Sequence, residues 1–148
     1  MKRADVTEKI LTAKRLKGLS WKTICAELGG GSPMYLTAAL MGQMKLGPEQ
    51  AARAAALFGL GAEEKALLQE VPYRGSLPTA VPTDPLIYRF HELVSVYGTT
   101  IKELIQEEFG DGIMSAIDFD MSLERQPDQK GDRVKITMSG KFLQYREY

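Results

Sequence analysis

From Val6 to about Gln69 the apolar residues recur at helical spacing: Val6, Ile10 and Leu11, then Trp21, Ile24 and Leu28, then Tyr35, Leu36 and Leu40, then Ala54, Leu57 and Phe58. Turn-forming residues cut this pattern into short pieces. Gly18 precedes Ser20, "GGGSP" offers Ser32 as an N-cap with Pro33 at the first helical position, and "GPEQ" supplies Gly47 and Pro48. The pattern predicts a bundle of five short helices, the third within "SPMYLTAALMGQM", residues 32–44. Residues 71–85, "VPYRGSLPTAVPTDP", hold four prolines, whose fixed φ and missing N–H oppose helix interiors and central strands. This stretch reads as a linker.

A different pattern follows. Asp84 suits an N-cap, Pro85 the first turn and Gly98 a left-handed C′ position, so a helix is predicted over Pro85 to Tyr97, with a second helical segment after it. At about 100° per residue, Leu86, Ile87, Phe90, Leu93, Val94 and Tyr97 form one wide apolar face, expected to be core. Arg89 and Glu92, three apart, fall together beside that face, with Val96 between them and Tyr88 at the outer edge, while His91 and Ser95 point to the expected solvent side. Spacing alone favours an ordinary surface ion pair for Arg89 and Glu92. Beyond them, "IMSAIDFDMSLERQ" and "RVKITMSG" alternate as strands around the turn-rich "PDQKGD". Counting by twos puts Ile113, Ser115, Ile117, Phe119, Met121 and Leu123 on one face. Ser115 interrupts it, and a buried hydroxyl requires a partner, either nearby backbone or a ligand oxygen.

Composition narrows the chemistry. The 148 residues are 44% hydrophobic, enough for a real core, and their formal charge is zero with a pI near 6.6. No global field therefore draws the chain to nucleic acid or an anionic membrane. No apolar run reaches the roughly 20 residues of a bilayer span, and "MKRADVTEKI" lacks the apolar centre of a secretion signal, so a cytoplasmic protein with no membrane partner is expected. One cysteine, Cys25, and one histidine, His91, exclude an internal disulfide and argue against a Cys/His zinc site, so metal-free chemistry is expected. "GGGS" is too short for a phosphate loop and reads as a turn.

Two helices around "ELGGGSP" raise a competing reading, a DNA-binding regulator with a helix-turn-helix. Residues 32–44 contain no Lys or Arg, and only Gln43 could read a base edge; phosphate neutralisation and base reading need more. Lys9, Lys14, Arg15, Lys17 and Lys22 read instead as a solvated helix face.

Residues 82–121, "PTDPLIYRFHELVSVYGTTIKELIQEEFGDGIMSAIDFDM", closely resemble the cyanase family, the bicarbonate-dependent cyanate lyases also called cyanate hydratases. The resemblance rests on "PTDP", "YR" followed three residues on by Glu, "YGTT", "FGDGI" and "SAI", and "AALMGQ" extends it to the first half. It implies an α+β chain, mainly α: an N-terminal five-helix repressor-like, helix-turn-helix-like bundle over 1–72, a linker over 73–83 and a small α+β dimerisation and catalytic domain over 84–148. It also implies that cyanate and bicarbonate become carbamate and carbon dioxide, carbamate then falling apart to ammonia and a second carbon dioxide, with no cofactor beyond bicarbonate as co-substrate. The family's catalytic Arg, Glu and Ser carry over to Arg89 in "YRF", Glu92 in "HEL" and Ser115 in "MSAI". The implied assembly is a decamer of five dimers interlocked through the C-terminal domain, with active sites between subunits and no nucleic acid. Ser76 stands where members of the family can carry Cys, Cys25 reads as a small core residue, and the tail "GKFLQYREY" ends in its own way, with Tyr145 and Tyr148 either interfacial or exposed.

Overall fold

The computed structural model describes residues 1–75 and 77–147; Ser76 and Tyr148, and the readings attached to them, lie outside the described residues. Two compact units meet in the chain between residues 76 and 77.

The first unit holds five helices among the described residues: α1 (Arg3–Leu16), α2 (Trp21–Glu27), α3 (Pro33–Leu40), α4 (Pro48–Phe58) and α5 (Ala62–Leu67). Their starts are local events. The Ser20 hydroxyl accepts from the Thr23 amide and the Ser32 hydroxyl from the Tyr35 amide, while Pro33 and Pro48 open their helices where a missing N–H costs nothing. Val6, Ile10, Ile24, Leu28, Leu36, Leu40, Ala54 and Leu68 interdigitate in one core, and Cys25 is buried with them.

α3 ends earlier than the apolar run predicts. Gly42 takes a left-handed φ of 85°, and the amides of Gln43 and Gly42 turn back to the carbonyls of Ala38 and Ala39. This is a Schellman stop, so residues 41–44 leave the helix although they are apolar or neutral. Lys9, Arg15, Lys17 and Lys22 are exposed, as a solvated face requires, and three basic residues of this stretch also make contacts within the unit. Lys9 pairs with the buried Glu64 at 2.8 Å, Lys17 donates to the Leu57 carbonyl, and the Lys14 ammonium lies 5.2 Å from the centre of the Trp21 ring.

The second unit is one long helix and a hairpin: α6 (Pro85–Phe109), then β1 (Gly112–Gln126) paired antiparallel with β2 (Arg133–Gln144). Asp84 caps α6 as predicted, accepting from the Leu86 and Ile87 amides. The predicted end at Gly98 is not there. Gly98 is absent from the glycines with positive φ and sits inside a 25-residue helix, because nothing after it breaks the ladder: Thr99 to Phe109 contains no proline and no further glycine. An interior glycine costs only about 1 kcal/mol relative to alanine.

The predicted core face of α6 is also corrected. Leu86, Ile87, Phe90, Leu93, Val94 and Tyr97 are all exposed, Leu86 to 72%. Periodicity says that a face needs covering, and the contacts within this unit leave it open. Phe109 packs on Phe142, ring centres 5.3 Å apart, and the Tyr145 amide reaches the Asp111 carbonyl; both contacts lie at the C-terminal end of α6. The chain thus combines helices with a two-stranded antiparallel sheet, an α+β fold. No helix among the described residues is long and apolar enough to cross a membrane.

Candidate active site

One helical turn of α6 brings Arg89 and Glu92 together. Residues three apart lie on the same side of a helix, and the Arg89 Nη1 donates to Glu92 Oε2 at 2.6 Å. Both side chains are open, 67% for Arg89 and 46% for Glu92. The hydrogen bond from Arg89 to Glu92, reinforced by the carboxylate's charge, holds the guanidinium above its ordinary pKa; it is a permanent cation. Its other N–H groups have no acceptor among the described residues, so a planar set of donors faces outward beside apolar surface.

His91 shares its side of α6 with Ser95, which is exposed, and is partly covered by a residue of its own helix. It is half-buried, and its ring lies 5.7 Å from that of Tyr88, three residues back. Ser95 donates to the His91 carbonyl at 3.0 Å, a bond internal to the helix.

Ser115 is buried, with 5% of its surface exposed, and the strand around it is irregular. Gly112, Ile113 and Met114 pair with Gln144, Leu143 and Phe142, and pairing resumes only at Phe119 with Gly140. Residues 115–118 therefore bulge opposite Lys141 alone. The bulge breaks the predicted alternation: Ser115 is enclosed, while Ile117, assigned to the same face, is 98% exposed. Within the bulge the Ser115 hydroxyl oxygen accepts from the amides of Ile117 and Asp118, both at 3.0 Å. The backbone partner expected of a buried hydroxyl is therefore present. Two incoming donors occupy the oxygen's lone pairs, so the group's remaining capacity is to give its own proton.

The structure thus brings Arg89 and Glu92 into contact, and Ser115 makes no hydrogen bond with either. Among the described residues no three His, Cys, Asp or Glu side chains gather as metal ligands would. A cleft of about 560 Å³ in the first unit, lined by Arg3, Thr7, Gln43 and Tyr73 among others, contains none of the three candidates. Sequence reasoning missed the bulge and its neighbour Gly140. The available signal was a glycine inside an alternating run, "ITMSGKF", which marks a bulge or a close backbone approach.

Comparison with known proteins covers both units. Residues 79–147 match the family model described as the cyanate lyase C-terminal domain, and residues 3–72 match the cyanate hydratase N-terminal model. Full-length similarity extends to proteins called cyanate hydratase: 62% identity to that of Variovorax paradoxus strain S110 and 60% to that of Polaromonas sp. strain JS666, each over 100% of both chains. Among solved structures, the crystal structure of cyanase from T. urticae is similar, with a TM-score of 0.79 and 37% identity, covering 94% of this chain and 96% of that one.

Proposed function

The chain belongs to the cyanate lyase family, and we propose that it breaks cyanate down in a bicarbonate-dependent reaction carried by Arg89, Glu92 and Ser115. The observation that carries this reading is the Arg89–Glu92 pair, a fixed cation whose unused donors face outward from an otherwise apolar stretch of helix.

The chemistry demands such a group. Cyanate and bicarbonate are both anions, and two unit charges about 4 Å apart at an effective dielectric near 20 repel by roughly 4 kcal/mol. A guanidinium offsets that repulsion and its planar donors match carboxylate-like oxygens. A bicarbonate oxygen attacks the cyanate carbon, giving a dianionic adduct that Arg89 stabilises as its charge develops. The adduct takes up one proton and loses carbon dioxide, leaving carbamate; carbamate takes up a second proton and falls apart to ammonia and carbon dioxide. Glu92 orients Arg89 and handles a proton. Ser115, its oxygen already held by two amides, donates to one anion and orients it; among the described residues no base is hydrogen-bonded to it, and it is not assigned as a nucleophile. No cofactor beyond the co-substrate bicarbonate enters this scheme.

Assembly belongs to the same proposal: a decamer of five dimers with active sites between subunits. The uncovered apolar length of α6 supports it, since a contiguous exposed face of this kind marks an interface. The five helices of the first unit are read as the repressor-like, helix-turn-helix-like domain, serving no nucleic acid, and the enzyme as cytoplasmic. Burial of Leu36, Ala39 and Leu40 of α3 in the unit's own core fits a helix used for packing.

The test is ammonia release from purified protein given cyanate, with carbon dioxide stripped from one sample and bicarbonate supplied to the other. Release only with bicarbonate is expected; equal release in both would refute the co-substrate role.

A further inference from the structure

We infer that Gly140 of β2 is a positioning residue for Ser115: by lacking a side chain it lets β2 pass against the main chain of the bulge and so sets where the Ser115 hydroxyl sits. The inference rests on the reading of Ser115 as a hydroxyl that contacts substrate.

Gly140 is not there for its backbone angles. Nine glycines among the described residues have positive φ, and Gly140 is not one of them. It is there for space. A Cβ at position 140 would lie 2.3 Å from the Ser115 carbonyl oxygen and 2.6 Å from Met114 Cγ, with Phe119 Cδ2 at 3.3 Å. Met114 can swing away, but the carbonyl cannot move alone. It belongs to the residue whose hydroxyl is pinned by the amides of Ile117 and Asp118, and Gly140 itself is paired with Phe119, the first residue after the bulge. Reaching the 3.0 Å that real Cβ contacts respect requires a shift of at least about 0.7 Å, a displacement that close-packed surroundings pass on to the hydroxyl. Misplacement on the scale of 1 Å can cost on the order of 100-fold in rate.

The experiment is a double-mutant cycle on the full-length protein, assayed for bicarbonate-dependent ammonia release. Ser115→Ala alone tests the underlying reading: turnover within about 2-fold of the parent removes Ser115 from the chemistry whatever Gly140 does. Given a loss there, Gly140→Ala is expected to lower kcat roughly 10- to 100-fold, and the double variant to lose no more than about 2-fold beyond Ser115→Ala, because both changes disable one group. Amide exchange at Ile117 and Asp118 should quicken roughly 10-fold in Gly140→Ala while Leu123 and Ile136, farther up the hairpin, stay protected. Near-parental turnover of Gly140→Ala, losses that multiply in the double variant, or faster exchange along the whole hairpin would each overturn the assignment. Should Gly140→Ala not fold, the same readouts are taken with Met114→Ala added, which removes the 2.6 Å contact and leaves the one to the Ser115 carbonyl. If that variant also fails to fold, Gly140 is a residue of the fold and the inference falls.

Discussion

Gly98→Ala decides between two backbone states by the sign of its effect. Were Gly98 a left-handed helix terminus, as the sequence suggested, an added Cβ would cost about 1–2 kcal/mol. In the structure it lies inside α6, and a Cβ there would meet only Val94 Cγ1 at 3.6 Å, an ordinary van der Waals contact. Alanine in a helix interior is favoured over glycine by about 0.8–1.0 kcal/mol, chiefly because the unfolded chain has less freedom to lose. The two states thus differ by about 2 kcal/mol or more in predicted outcome. For a chain of this size the stabilisation corresponds to a rise of roughly 2–4 °C in Tm. The assay is urea unfolding followed by far-UV circular dichroism, at matched protein concentration because association contributes to apparent stability, with oligomeric state checked by light scattering. A loss of about 1 kcal/mol with assembly unchanged would refute a continuous helix through residue 98.

Further predictions follow from the same structure. Arg89→Lys keeps the charge but removes the guanidinium fork, and turnover should fall roughly 100-fold or more in a folded, assembled protein; near-normal steady-state rates would exclude Arg89 from the chemistry. Leu36→Ala, at a position 1% exposed, should destabilise the first unit by about 2–5 kcal/mol in denaturant titration, and a change under 1 kcal/mol would mean the site collapses around the cavity. The hydrogen bonds from Lys9 and then from the Gly61 amide hold the Glu64 carboxyl below its ordinary pKa. Its contribution to stability is therefore complete above the unfolded-state value and disappears as pH falls through the lower folded-state value. Glu64→Gln should weaken the protein at neutral pH and flatten the acid limb of stability against pH, and an unchanged limb would contradict the pairing.

What the sequence could show was local. Ser20, Ser32, Pro33, Pro48, Asp84 and Pro85 start helices where the chain predicts, because a cap or an N1 proline acts on amides within a turn of itself. The core of the first unit was equally legible, since five neighbouring amphipathic helices have each other to bury against. The contact between Arg89 and Glu92 needed nothing beyond helical spacing. The resemblance, not spacing, singled out Ser115 together with that pair.

Other features depend on register or on distant partners, and no local pattern encodes them. α3 stops at a glycine whose amide neighbours could have continued the helix, whereas α6 runs through one. The choice turns on whether the amides donate three and five residues back and close a left-handed turn, as at Gly42 and Gln43, or keep donating four residues back, as through Gly98. Lys9 and Glu64 meet across 55 residues, and Gly140 meets Ser115 only because four residues of β1 bulge opposite one of β2. The hydrophobic pattern of α6 determined that an apolar face exists; only the tertiary structure decided that its own unit leaves that face open. Periodicity records how much surface must leave water, and the geometry of the packed elements determines what is near enough to cover it.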